Sequence, residues 1–151
     1  MPMLPGTMID VLLVEDDPGD ALMTVEAFEY YKVANRLHVV RDGIQAMDYL
    51  HRRGEYADAE RPGLVLLDLD LPRMDGHEVL DLIKSDEDLR TIPVVMLTTS
   101  TADEDILRAY HRHANAYVVK PVDFDAFVGA VRQIEDFFIS VVAKPSPTQL
   151  V

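Results

Sequence analysis

Carboxylates are the first residues in this chain with chemical promise. The segment VLLVEDDPGD closes an apolar run with Glu15, Asp16 and Asp17, and LVLLDLDLPRMDG closes another with Asp68, with Asp70 two residues on. If the two runs lie side by side, four or five acidic groups collect on one edge, and their mutual repulsion calls for a hard cation. Magnesium fits better than calcium, because so few protein ligands leave coordination positions open for a phosphate oxygen. PVVMLTTS ends a third run at Thr98, followed by Thr99 and Ser100, and AYVVKP ends a fourth at Lys120 before Pro121. A hydroxyl and an ammonium aimed at a metal–carboxylate cluster are the parts that phosphoryl transfer needs, since its catalysis is mainly positioning and charge neutralisation. Asp68 is the natural nucleophile, a carboxylate that can hold a phosphoryl group as an acyl phosphate.

The elements that must position these groups follow from periodicity. Short apolar runs at Ile9 to Glu15, Leu37 to Arg41, Gly63 to Asp68, Pro93 to Thr98 and Ala116 to Val119 have the character of strands covered on both faces. Amphipathic stretches alternate with them. Asp17 and Pro18 make an N-cap and first helical position, after which Ala21, Val25 and Phe28 recur at helical spacing. Further helices are expected over Gly43 to Arg53, Gly76 to Lys84, Asp103 to His113 and Asp123 to about Val142, with a surface loop at Gly54 to Pro62. Alternation of this kind predicts an α/β fold with a doubly wound, five-stranded parallel sheet, in which ligands bind outside the carboxyl ends of the strands. The chemically promising residues stand at those ends.

Length and composition bound the function. The 151 residues, 48% hydrophobic, suffice for one core and one domain, taken as residues 9–143 between flexible ends at 1–8 and 144–151. Without cysteine there is no disulfide framework and no thiolate metal site, and a cytoplasmic location is expected. No run approaches the roughly 18 apolar residues of a membrane helix. The net charge of −13 opposes direct binding to nucleic acid. His77, His111 and His113 stand in helical stretches without a second ligand and are expected to be solvated rather than metal-bound.

Taken together, the four motifs resemble the receiver domains of bacterial two-component response regulators, in a match that spans about residues 9 to 143. The resemblance implies a flavodoxin-like sheet of order 2-1-3-4-5 with five helices, and Mg2+ held by Asp16 and Asp68 through side chains, by Asp70 through its carbonyl, and by Glu15 through water. Asp68 would be the phosphoacceptor, assisted by Lys120 and Thr98, with Thr98, Thr99, Lys120 and Asp70 as the phosphate-binding set. Thr98 and Tyr117 match the family's switch pair, whose movement reshapes the face made by helix four, strand five and helix five. A phosphohistidine partner, a sensor histidine kinase or phosphotransfer protein, would dock over helix one and the acidic edge. The Glu-Asp-Asp-Pro-Gly-Asp opening, the long loop before strand three and the extended last helix look like the small stand-alone receivers that accompany phytochrome-like sensor kinases. Asp70 departs from that pattern, which often has Asn there, and so does Ser100.

Other readings compete with parts of this one. Asp17 is better explained as a helix cap than as a ligand. The last helix carries apolar residues beyond one stripe, with Phe127, Val131, Ile134 and Phe138 joined by Phe137, Ile139, Val141 and Val142; a homodimer would cover the excess, and so would the C-terminal tail. LVLLDLDLP also resembles the Asp-x-Asp signature of haloacid dehalogenase-like magnesium-dependent phosphatases, although Pro72 and the absence of room for a cap domain argue against it. A fold-preserving module that has lost phosphorylation is the third reading, disfavoured by the intact Asp16, Asp68, Thr98 and Lys120 set.

Overall fold

A computed structural model describes residues 9–30, 35–69, 71–98, 116–119, 125, 126, 129 and 132. Five strands are present: β1 (Ile9–Val14), β2 (Asn35–Val40), β3 (Leu64–Asp68), β4 (Val94–Thr98) and β5 (Ala116–Val119). They pair in parallel throughout, in the order β2-β1-β3-β4-β5. Helices α1 (Pro18–Tyr30), α2 (Gly43–Leu50) and α3 (Gly76–Ser85) connect them. Residues 125, 126, 129 and 132 are helical. The helix expected over Asp103 to His113 and both chain ends lie outside the described residues.

The apolar runs are continuous because each strand feeds two cores. Leu12 and Val14 of β1, Val65 and Leu67 of β3, and Val94 and Met96 of β4 pack on one face with Ala46, Met47, Val79, Leu80 and Ile83 of α2 and α3. Their alternate neighbours Val11, Leu13, Leu64, Leu66, Val95 and Leu97 pack on the other face with Ala27 and Phe28 of α1. At roughly 25 cal/mol per Å² of buried apolar area, this two-sided burial is the main force holding the strand ends in place.

Three local expectations are corrected. In α1 the buried stripe is Thr24, Ala27 and Phe28, with Ala21 beside it, while Val25 is only half-buried. Thr24 can be buried because its hydroxyl donates to the Asp20 carbonyl at 2.9 Å. Helix α2 ends at Leu50 rather than at Arg53: Arg52 is left-handed (φ 58°), and a 3₁₀ turn follows at Gly54–Tyr56, inside the expected loop. His77 is buried instead of solvated, because the first turn of α3 packs tightly against the end of β3.

Candidate functional site: the carboxyl edge of the sheet

The parallel register brings the predicted acidic residues to one edge. Val14 pairs with Leu67, so Glu15 and Asp68 come one step later on strands about 4.8 Å apart. Asp68 in turn pairs with Leu97, one residue before Thr98, and Thr98 pairs with Val119, one residue before Lys120. The ladder continues past the strands: Glu15 N donates to Val40 O at 2.9 Å and Leu69 N to Leu97 O at 3.1 Å. These residues gather between β1 and β3, where the connections leaving the two strands, α1 and α3, go to opposite faces of the sheet, the switch point at which such folds bind ligands.

Glu15 and Asp68 are almost fully buried, at 2% and 5% exposure, whereas Asp16 beside them is exposed. Glu15 Oε2 accepts from Asp17 N at 3.2 Å, which ties the loop after β1. Asp17 caps α1, its Oδ2 accepting from Asp20 N at 3.0 Å, as its sequence context predicted. Asp70, Thr99, Ser100 and Lys120 lie outside the described residues. For Thr98 and Tyr117 the backbone is placed, in β4 and β5.

The donor chemistry fits a hard divalent cation. Glu15 and Asp68 are buried carboxylates on neighbouring strands, and Asp16 next to Glu15 is an exposed one, all of them oxygen donors of the kind a hard cation takes. Among the described residues no three His, Cys, Asp or Glu side chains are grouped so that they could hold a metal ion by themselves. A hard divalent cation such as magnesium takes only one or two protein carboxylates and fills its remaining positions with water and phosphate oxygens, a demand that oxygen donors of this kind suit.

Sequence reasoning missed the residues that fix the loop after Asp68. The segment after β3 is held by Gly76 N donating to Leu69 O at 3.0 Å and by the α3 capping box, in which Asp75 and Glu78 exchange bonds of 3.0 and 3.1 Å. Gly76 sits so close to the backbone of Asp68 and Leu69 that a Cβ there would stand 2.8 Å from Leu69 Cα and nearer still to the Asp68 carbonyl oxygen. Gly43, the first residue of α2, lies just as tightly on the loop: its Cβ would fall 2.6 Å from Met74 O. Next to it the buried Asp42 caps α2 through Gln45 N at 2.8 Å and also accepts from Arg73, a left-handed residue (φ 67°) in the loop after Asp68. Two Asp-Gly pairs, 42–43 and 75–76, thus clamp the loop that follows Asp68. Their recurrence at the two predicted helix starts is the signal that could have revealed them.

A buried, oxygen-rich site at the carboxyl ends of a 2-1-3-4-5 parallel sheet defines a class, and sequence comparison agrees. Residues 11–132 match the family described as response regulator receiver domain, and the chain belongs to that family. It is therefore a signalling domain of two-component systems, a class phosphorylated by sensor histidine kinases. Among its relatives, the chain is 45% identical to the probable methanogenesis regulatory protein FilR2 of Methanothrix harundinacea, covering 91% of this chain and 88% of that one. It is 40% identical to response regulator Rcp1 of Synechocystis, over 90% of this chain and 92% of that one. The Mn(2+)-bound form of Rcp1 superposes with a TM-score of 0.82 over 91% of this chain and 99% of that structure. The phosphorylated cyanobacterial phytochrome response regulator RcpA gives a TM-score of 0.84 at 44% identity, over 89% and 96%. Among the described residues no helix is long and apolar enough to cross a membrane.

Proposed function

We propose that this receiver domain, residues 9–143, accepts a phosphoryl group on Asp68 from a phosphohistidine of a sensor histidine kinase or phosphotransfer protein. The observation that carries the reading is Asp68 itself, a buried carboxylate at the end of a central strand, next in register to the buried Glu15 and with its backbone clamped by Gly76. In the transfer a carboxylate oxygen of Asp68 forms the new O–P bond as the N–P bond of the phosphohistidine breaks, and the departing imidazole takes up a proton from water. Asp68 is the last residue of its strand, which places it at the carboxyl edge where a donor would approach. Asp16, Asp68 and Glu15, with the carbonyl of Asp70, would hold Mg2+, which would supply charge neutralisation for the phosphoryl oxygens. Lys120, Thr98 and Thr99 complete the phosphate-binding set.

After transfer the acyl phosphate offers Thr98 a hydrogen-bond partner that the unmodified aspartate lacks, which biases Thr98 and Tyr117 toward a second arrangement of the helix 4/strand 5/helix 5 face. That face is the output surface, and a second copy of the chain is its proposed partner. For phosphorylation and for a divalent metal, support comes from the phosphorylated state of RcpA and the Mn(2+)-bound form of Rcp1, both similar over most of this chain. RcpA, a cyanobacterial phytochrome response regulator, favours a phytochrome-type kinase as donor, and the transfer is proposed to take place in the cytoplasm. Incubation with acetyl phosphate and Mg2+ tests the reading: one phosphate per chain, absent in Asp68→Asn, is expected. Repeated turnover of phosphate esters would favour the phosphatase reading instead.

A further inference from the structure

A second polar site lies along the β2 edge, away from the acidic end of the sheet. Asp10 enters β1 five residues before Glu15, about 17 Å at the rise of an extended strand. It helps to line a groove of about 530 Å³ between β2 and the Gly54–Glu60 segment. We propose that this groove binds a small organic cation bearing N–H donors, of the amine or guanidinium class.

Charge, shape and unmet hydrogen bonding converge on that ligand. Four carboxylates line the groove, those of Asp10, Glu55, Asp58 and Glu60, against one guanidinium, that of Arg36. Arg36 is already engaged, its Nε 2.9 Å from Asp10 Oδ1, which leaves the three rim carboxylates to attract a cation. Tyr49 and Tyr56 form an aromatic wall, with ring centroids 5.3 Å apart and planes tilted by 57°. Aromatic faces beside carboxylates are a favourable surface for organic cations and a poor one for anions. The volume is that of a small-ligand pocket.

The independent observation is Tyr49. Its side chain is 95% buried against the groove, yet its hydroxyl has no hydrogen-bond partner among the described residues. Buried hydroxyls are normally satisfied, and leaving one unpaired is costly, so an unpaired one lining a groove marks a place for a ligand donor or acceptor. Burial, with the Asp10 and Glu60 charges nearby, pushes the Tyr49 hydroxyl pKa above 10.0. It therefore stays neutral and can accept an N–H while donating to a carboxylate. His38 Nε2 is the second unmet group, buried and 3.7 Å from Asp10 Oδ2, beyond hydrogen-bond reach.

Agmatine, which carries an ammonium and a guanidinium, is the probe, and N-butylurea, neutral and of similar size, is its control. Each is titrated into the full chain and followed by amide chemical shifts. Saturable shifts with agmatine alone, centred on Asp10, Arg36 to Val40, Tyr49 and Glu55 to Glu60, are expected. Tyr49→Phe keeps the shape of the ring, so it should fold with unchanged or raised thermal stability and bind agmatine about tenfold more weakly, the worth of one hydrogen bond to a charged group. Glu60→Gln should weaken binding in the same direction. The proposal is overturned if agmatine shifts grow linearly and spread over the acidic surface, if N-butylurea binds equally well, or if Tyr49→Phe leaves the affinity unchanged.

Discussion

Replacing Gly76 with alanine places one methyl group against the backbone of Asp68, the proposed phosphoacceptor. The new Cβ would stand 2.8 Å from Leu69 Cα and closer to the Asp68 carbonyl oxygen, where ordinary contact begins at 3.4 Å. The loop must therefore retreat by at least about half an ångström at Leu69 and by more at Asp68, with an overpacking cost of about 1–3 kcal/mol. A retreat of that size misaligns the Asp68 carboxylate from its in-line donor, and misplacement of about 1 Å costs on the order of 100-fold in rate. Gly76→Ala should fold, lose a few degrees of thermal stability, and incorporate phosphate from acetyl phosphate about 10- to 100-fold more slowly, as read by intact mass over time. Gly19→Ala is the control: its Cβ would meet only Asp17 Oδ2, at 3.5 Å, and its rate should match that of the unaltered chain. A Gly76→Ala protein that folds and phosphorylates within twofold of the unaltered chain would refute the clamp.

Other outcomes follow from the same geometry. Asp42→Ala removes a helix cap and leaves Arg73 without its partner, and should cost about 1–2 kcal/mol in denaturant unfolding near neutral pH; Arg73→Ala, removing an exposed partner, should cost less than about 1 kcal/mol. Burial alone would raise the Asp42 carboxyl, but the hydrogen bond from Gln45 and the Arg73 guanidinium outweigh it and hold its pKa below 3.8. The unfolded chain then binds that proton more readily, so the stabilisation is present above pH 3.8 and is lost as pH falls through the folded value. The difference between the unaltered chain and Asp42→Ala should accordingly shrink below that pH. Asp16→Asn should weaken Mg2+ binding, measured by calorimetry, about tenfold or more while leaving the fold intact; unchanged affinity would remove Asp16 from the ligand set.

Much of the fold was legible because a parallel strand buried on both faces must be apolar along its whole length. Val11 to Val14 and Leu64 to Leu67 feed alternate residues to two cores, and each run is ended by its own carboxylate. The placement of Glu15 and Asp68 at the carboxyl edge was legible for the same reason, since charge at the end of such a run falls there. What could not be read depends on partners distant in sequence. Arg73 reaches Asp42 across 31 positions and Arg36 reaches Asp10 across 26, and only the register of β1 on β2 brings the second pair together. His77 looked solvated because nothing local announces that Gly76 draws the start of α3 onto Asp68. The premature end of α2 was hidden because its stop is carried by Arg52, a residue type with no preference for the left-handed conformation it adopts.

The central claim is that Asp68 carries the phosphoryl group, and chemical trapping of the site tests it most directly. The chain is phosphorylated with Mg2+ and a low-molecular-weight phosphodonor, the acyl phosphate is reduced with borohydride, and the modified residue is located by tandem mass spectrometry of the peptides. Reduction of an aspartyl phosphate leaves homoserine, so the account predicts homoserine at position 68 and aspartate everywhere else. Homoserine at another position, or none in a chain shown by intact mass to have been phosphorylated, would contradict it.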